Sequence, residues 1–410
     1  MPRILQAHQV NPAQLQDNTL TLSLPTAHVA AAHTGASWQD IVRPVAGSDS
    51  FSLDIPGAIS QLRDLEHLRV STRADWLAVG IRVRNWQFHA AASTRVSGKV
   101  SYTQDMAALA WYGNAPFAGE TLDLAPDFQA TAFHEAGAGV SFPVLKIFRA
   151  GVRVKYLIGL ADISVSRRSL TLATGAEDYR LDLMADYQLN TSMVSLGTAD
   201  DFAPAFSPAP LTRNRGLGAD IGIEARPGKT LTLTAGVLDL GYIRWQDQAN
   251  QYHLRGTISL QGLDAYAMVR ADSVRWDQYL DSLTRDISIS ASAGAYTRAL
   301  PARLYASALW KPVRFFQAGA LVQGEVYQGT WQPSLTVHAG FHAGKVLSAG
   351  LSWSYMDRRV DHLGANLLLK AGPVVIFGAT DHLSSLIWPR SARQVDARLG
   401  LLLAIGGGRQ

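Results

Sequence analysis

Residues 216–245, GLGADIGIEARPGKTLTLTAGVLDLGYIRW, form two alternating arms around a turn. In the first arm Leu217, Ala219, Ile221, Ile223 and Ala225 alternate with Gly218, Asp220, Gly222 and Glu224. After Pro227-Gly228, Leu231, Leu233, Ala235 and Val237 alternate with Thr230, Thr232, Thr234 and Gly236. Successive strand side chains project to opposite faces, so each arm has one aliphatic face and one small or polar face. Pro presets φ and Gly accepts φ > 0, which is the chemistry of a hairpin turn. Each arm has about the 9–11 residues that a tilted strand needs to cross a bilayer. The apolar parity shifts from Val237 to Leu238, Leu240 and Tyr242, which predicts a β-bulge near Gly236.

The same economy holds along the chain. Of 410 residues 47% are hydrophobic and only 17% charged, below the roughly 25% charged of soluble domains. No run of about 18 apolar residues occurs, which excludes transmembrane helices. The apolar residues must therefore be spread in alternation, and 35 glycines suit tight turns and narrow interior positions. The absence of cysteine excludes disulfides and thiolate metal sites. A net charge of +4, dispersed along the chain, excludes a nucleic-acid footprint. Met1-Pro2-Arg3 leads into a polar stretch and not into the apolar segment of a secretory leader.

Two regions are predicted. Residues 1–60 contain Pro2, Pro12, Pro25, Pro44 and Pro56 with short apolar runs such as Leu20-Thr21-Leu22-Ser23-Leu24, and read as a plug or hatch packed against something larger. Residues 61–410 read as a succession of strands interrupted by helical loops near 103–126 and 263–283. Tyr179, Leu181, Leu183, Ala185 and Tyr187 are opposed by Arg180, Asp182, Met184, Asp186 and Gln188, and Val152, Val154 and Tyr156 by Arg153 and Lys155. Trp310, Tyr327, Trp331, Trp353, Tyr355 and Trp388 fall near strand ends, where interfacial aromatics belong. The count of about fourteen to sixteen strands predicts an all-β fold: a closed antiparallel transmembrane β-barrel of the bacterial outer membrane, with an N-terminal hatch.

Asn11-Pro12-Ala13 resembles the NPA of FadL-type barrels, whose N-terminus forms a hatch. VLDLGYIRW (237–245), GVRVKYLIG (151–159) and DARLGLLLAIGG (396–407) are similar to a family of uncharacterised bacterial outer-membrane proteins. That family is distantly like FadL and like PorV, a barrel attached to type IX secretion. The resemblance covers nearly the whole chain and implies a barrel of about fourteen strands. It carries over no catalytic residue and no ligand-binding position.

Motifs with chemical content reduce to wall chemistry. Pro-Gly-Lys-Thr at 227–230 imitates the end of a P-loop, but Ile223 occupies the position of the required first glycine, so the hairpin turn accounts for it. His338 and His342 share the polar face of one strand, too far apart to hold a metal together, and read as lumen residues. Arg153, Lys155, Arg180, Asp182, Asp186, Asp220 and Glu224, with Glu135 able to face the first two, likewise read as charges facing the barrel lumen. No GxSxG pattern appears. Neither catalysis nor a cofactor nor a metal is expected. The resemblance favours transport or gating of a small hydrophobic molecule, with outer-membrane lipid as surroundings. The alternative is a non-catalytic accessory subunit of an envelope secretion or assembly machine, with a larger outer-membrane complex as partner. A soluble protein of two stacked sheets is a third reading of the same alternation.

Overall fold

The computed structural model describes residues 9–195 except 46 and 48, residues 205–206, 212–260, and 287–407 except 328–329, 345, 357–358, 388–389 and 391. Alternation has produced a closed antiparallel barrel of fourteen strands. In chain order they are β1 (Asn18–Ser23 and Thr26–His33), β2 (Leu65–Val83), β3 (Trp86–Thr103), β4 (Asp127–Pro143), β5 (Phe148–Thr174), β6 (Arg215–Ala225) and β7 (Leu231–Trp245). The second half comprises β8 (Ala302–Val313), β9 (Phe316–Tyr327), β10 (Thr330–Ala343), β11 (Leu347–Met356), β12 (Arg359–Ala371), β13 (Val374–Thr380) and β14 (Gln394–Gly407). Each strand pairs with its sequence neighbour, and β1 pairs with both β2 and β14, which closes the ring. Closure leaves the ring of fourteen strands no free edge among the described residues, the condition for strands to cross lipid.

One end of the barrel carries tight connections, such as 84–85 and 372–373; the other carries longer loops, such as 34–64, 104–126 and 381–393. The loop after β3 opens with helix α3 (Gln104–Tyr112), following α1 (Trp38–Ile41) and α2 (Ile55–Ser60) in the loop after β1. The Met106 amide donates to the Thr103 hydroxyl at the N-cap of α3, and Gly113 ends the helix with a φ of 72°. The helix expected at 263–283 lies outside the described residues.

The hatch expectation for residues 1–60 is corrected by the strand pairing. Residues 18–33 are wall, not plug: Leu20 pairs with both Ile405 and Ile81, and Val29 with both Ala397 and Thr72. Pro25 does not break the ladder, because it falls in the interruption between the two pieces of β1, where its missing N–H costs no strand bond. Residues 34–60 belong to the long-loop end. Only the residues before β1 are left for a plug.

Side-chain orientation follows the alternation. On β6, Ile221 and Ile223 are 48% and 51% exposed on the outer face, while Asp220 and Glu224 are buried within. Trp86, Trp310, Trp331, Trp353 and Tyr355 are exposed on large outer-face positions, as interfacial girdles require. An Ile221→Arg substitution is expected to cost about 2–4 kcal/mol of stability in a bilayer, the range for a cation at the lipid midplane. Urea unfolding in phospholipid vesicles measures it; a cost no larger than that of Ile221→Ala would contradict an outward, lipid-facing Ile221.

Candidate functional site

Four layers of side chains stack inside the barrel along β5. At the short-turn end, residues 11–13 lie within the ring, with Asn11 and Ala13 buried. Ser141 and Arg149 donate to the Ala13 carbonyl at 2.7 and 3.4 Å, and Arg82 to that of Gln16 at 2.9 Å. Their seat is a row of glycines: Gly222 on β6 pairs with Gly151 on β5 and with Gly236 on β7. A Cβ on Gly151 would come within 2.2 Å of the Pro12 carbonyl, and one on Gly222 within 2.7 Å of Asn11 Oδ1. The Tyr305 hydroxyl lies over the third, 2.7 Å from a Cβ on Gly236. A side chain at Gly151 would meet the Pro12 backbone and expel the segment, whereas at Gly222 its nearest contact would be the Asn11 side chain.

The second layer is ionic. Asp239 accepts from Arg95 at 2.8 Å, Lys155 at 2.5 Å and Arg303 at 2.7 Å. Glu135 pairs with Arg153 at 2.7 Å and with Arg95 at 3.3 Å, and Asp220 with Lys155 at 2.5 Å. Arg73 joins Asp75 at 2.8 Å and Glu135 at 3.5 Å. Five cations thus meet four carboxylates in a layer where Glu135, Arg153, Lys155, Asp220 and Asp239 are all at most 2% exposed. Burying charges is tolerable because each has opposite partners. Three strands separate β3 from β7 along the wall, so the Arg95–Asp239 pair bridges the lumen. Arg69 on β2 makes another crossing, to Gln332 on β10 at 2.8 Å.

Asp239 reaches this layer through a bulge. Ala219 pairs with Leu240 but Ile221 with Val237, so Leu238 and Asp239 together oppose Asp220. Asp239 has a φ of 60°, and its amide donates to Asp220 at 2.7 Å. The bulge therefore lies just beyond the predicted Gly236, and its effect is to turn a carboxylate into the lumen.

The third layer is apolar: Phe133, Leu157, Ile243, Trp245 and Leu300 cluster, with Trp245 wholly buried against Gly159. Above it Asp162 accepts from Tyr296 at 2.9 Å and from Arg298.

Of the predicted lumen residues, Arg153, Lys155 and Asp220 fall in the ionic layer, and Glu224 lies buried beside Arg226 at 2.8 Å near the plug. His338 and His342 face inward on β10, away from this cluster, near Gln317 at 3.5 Å and Ser348 at 2.8 Å respectively. Arg180, Asp182 and Asp186 are not brought into the lumen cluster. Beyond Ile158 β5 leaves β6 and continues as a taller wall with Leu181–Ser192, which in turn pairs with Asn250–Leu260. There the Arg180–Asp182 and Arg167–Asp186 pairs are solvent-exposed. Alternation alone does not tell how high on the barrel a residue stands. Arg73, Asp75, Arg95, Asp239 and Arg303 were missed by the sequence reading; only the parity shift after Val237 pointed to one of them.

On the outer face of the same wall, Ile221, Ile223, Val237, Leu304, Val322 and Trp331 border an apolar groove of about 540 Å³ that includes Gly222 and Gly236. At these glycines the wall is reduced to backbone, with the groove outside and the plug and Tyr305 inside.

Fold and site define a closed β-barrel of the outer-membrane type, with residues 11–13 seated inside one end. The chain belongs to the family of unknown function DUF5723, whose pattern matches residues 12–381. Curated proteins offer no match. Among solved structures it is similar to the toluene transporter TbuX of Ralstonia pickettii, at 12% identity over 97% of this chain and 93% of that one, with a TM-score of 0.48. The toluene transporter TodX of P. putida follows at 10% identity, 98% and 94% coverage and a TM-score of 0.46. A FadL homologue of Pseudomonas aeruginosa gives 12%, 98%, 95% and 0.45. The barrel assignment rests on the strand pairing above, not on these scores.

Proposed function

We propose that this protein is a gated outer-membrane barrel that passes a small hydrophobic molecule, the short turns facing the periplasm and the long loops the exterior. The observation that carries the reading is the thin wall at Gly222 and Gly236. At Gly222 an apolar groove on the lipid face and the Asn11-Pro12-Ala13 plug meet across bare backbone, and at Gly236 the inner side is Tyr305. An apolar solute partitions into the groove from the membrane by the hydrophobic effect, and movement of the plug changes what lies behind it. The bridged ionic layer argues against a wide aqueous pore on this side of the lumen. The lining seen among the described residues offers wall-stabilising ion pairs, which supports a transport role without chemistry.

The chain has no cysteine, so an Asn11→Cys/Gly222→Cys pair can lock the plug without competing thiols. Asn11 Oδ1 lies 2.7 Å from the Cβ position of residue 222, close enough for a disulfide to form with small adjustment. Uptake of a fluorescent naphthylamine by proteoliposomes should fall when the pair is oxidised and return on reduction. Equal uptake in both states of the folded variant would remove the plug from the pathway.

A second reading, an accessory subunit of an envelope secretion or assembly complex, draws on the long-loop end. Trp38 on α1 and Phe51 and Leu53 in the neighbouring hairpin are all more than 60% exposed there, an apolar surface suited to a protein partner. Stable copurification of a larger outer-membrane protein, lost on Trp38→Ala/Phe51→Ala, would favour it over the transport reading.

A further inference from the structure

The two halves of the lumen differ in chemistry. Between β3 and β7 the inward residues include the buried charges Glu135, Arg153, Lys155, Asp220 and Asp239. Along β10 and β11 they are neutral, and several retain solvent contact: Thr336, His338, Ser352 and Ser354 are half-buried; on neighbouring β9 Glu325 shares the inward parity of Gln323. Neither β10 (TWQPSLTVHAGFHA) nor β11 (LSAGLSWSYM) contains a charged residue. Their outward positions are Leu335, Val337, Phe341, Leu351 and Trp353, all exposed, so the polar set faces the lumen by strand alternation.

Small residues keep this side open. Gly340 pairs with Gly350, and Gly319 with His338, so both inward positions of the first pair and one of the second have no side chain. Apart from Gln332, which accepts from Arg69 across the lumen at 2.8 Å, the polar groups named bond sideways along the wall: Thr336 with Ser354 at 2.8 Å, His342 with Ser348 at 2.8 Å, Gln317 with His338 at 3.5 Å. A hydroxyl can donate once and accept twice, so one bond along the wall does not exhaust Thr336 or Ser354. Dissolved ions find no counter-charge on β10 and β11, whereas a neutral molecule exchanges water hydrogen bonds for wall hydrogen bonds at little cost.

We infer that the β10–β11 side of the lumen is a conduit for small neutral polar solutes of the size and chemistry of glycerol, separate from the plugged side. The inference rests on the membrane-embedded barrel proposed above but not on its hydrophobic ligand. The plug contacts identified above come from β2 to β6, so locking the plug leaves this passage unaffected.

The test is osmotic swelling of proteoliposomes in glycerol, followed by stopped-flow light scattering. Wild-type vesicles should swell several-fold faster than protein-free ones. Ser352→Trp and, separately, Thr336→Trp should return the rate towards that of empty vesicles, with rates normalised to the folded fraction seen by heat-modifiable migration. The oxidised Asn11→Cys/Gly222→Cys protein should swell like its reduced form while its naphthylamine uptake falls. Wild-type swelling no faster than in empty vesicles overturns the conduit, whatever the variants do. So does swelling that is abolished by locking the plug, or left unchanged by both tryptophans in folded protein. Wild-type protein that swells in glycerol but takes up no naphthylamine would count against the hydrophobic-ligand reading alone.

Discussion

Asp239→Asn is expected to lower the unfolding free energy by about 3–5 kcal/mol, the cost of removing one partner from a buried ion cluster. Asn keeps the shape of Asp and tolerates the left-handed backbone of the bulge, where φ is 60°, so the change isolates charge from backbone strain. It leaves Arg95, Lys155 and Arg303 around a neutral amide; Arg95 and Lys155 retain Glu135 and Asp220, whereas no other carboxylate is seen on Arg303 among the described residues. The comparison is Asp186→Asn, whose pair with Arg167 leaves the side chains 59% and 41% exposed. An exposed pair of this kind contributes about 0–1 kcal/mol. Both variants can be unfolded in urea from phospholipid vesicles, with tryptophan fluorescence as the signal. A cost for Asp239→Asn no greater than for Asp186→Asn would mean that the ionic layer does not brace the barrel.

The contrast between those two aspartates shows how far the sequence carries. Period-two alternation fixed which face Ile221, Ile223, Asp220 and Glu224 occupy, because one face must meet an apolar environment and a one-residue slip would invert every side chain. It could not separate Asp182 and Asp186 from Asp220, since all lie on regular alternating strands. Their separation comes from β5, whose 27 residues outrun β6, and that is a property of neighbouring lengths and not of local pattern. Asp239 was hidden for a different reason: a bulge breaks the parity on which the reading depends, and its position was legible only to within a few residues. Arg95 and Arg303 lie far from Asp239 in sequence, and only closure of the ring brings them to it.

The N-terminal region was legible in its chemistry but not in its topology. Asn11-Pro12-Ala13 stands out as a motif, and the structure places it inside the ring over Gly151 and Gly222. The alternation Leu20-Thr21-Leu22-Ser23-Leu24 was also visible, yet the prolines argued against a ladder strand. Pro25 disfavours a continuous strand, but β1 is two pieces, and on either side of the break both β2 and β14 supply partners. The Leu24 amide reaches the Leu401 carbonyl at 3.0 Å, so pairing resumes right up to the proline. A strand that needs ring closure for its second neighbour has no local signature to distinguish it from a packed extended segment.

Two truncations separate plug from wall. Deleting residues 2–15 removes Asn11-Pro12-Ala13 and leaves β1, so the barrel should fold, shift on a gel after heating and admit naphthylamine faster than the full chain. Deleting residues 2–33 removes β1 as well. The ladders of β2 and β14 then each lose a partner along Leu20–Ser23 and Ala27–Ala32, and two unsatisfied edges are left in lipid. Each unpaired backbone group there costs several kcal/mol, so the loss far exceeds the marginal stability of a folded chain. The longer truncation should therefore give no heat-modifiable species and no protease-resistant core, while the shorter gives both. A folded barrel from the longer deletion would show that β1 is dispensable to the wall. A shorter deletion that folds but transports like the full chain would show that the plug, although seated on the glycine row, closes nothing.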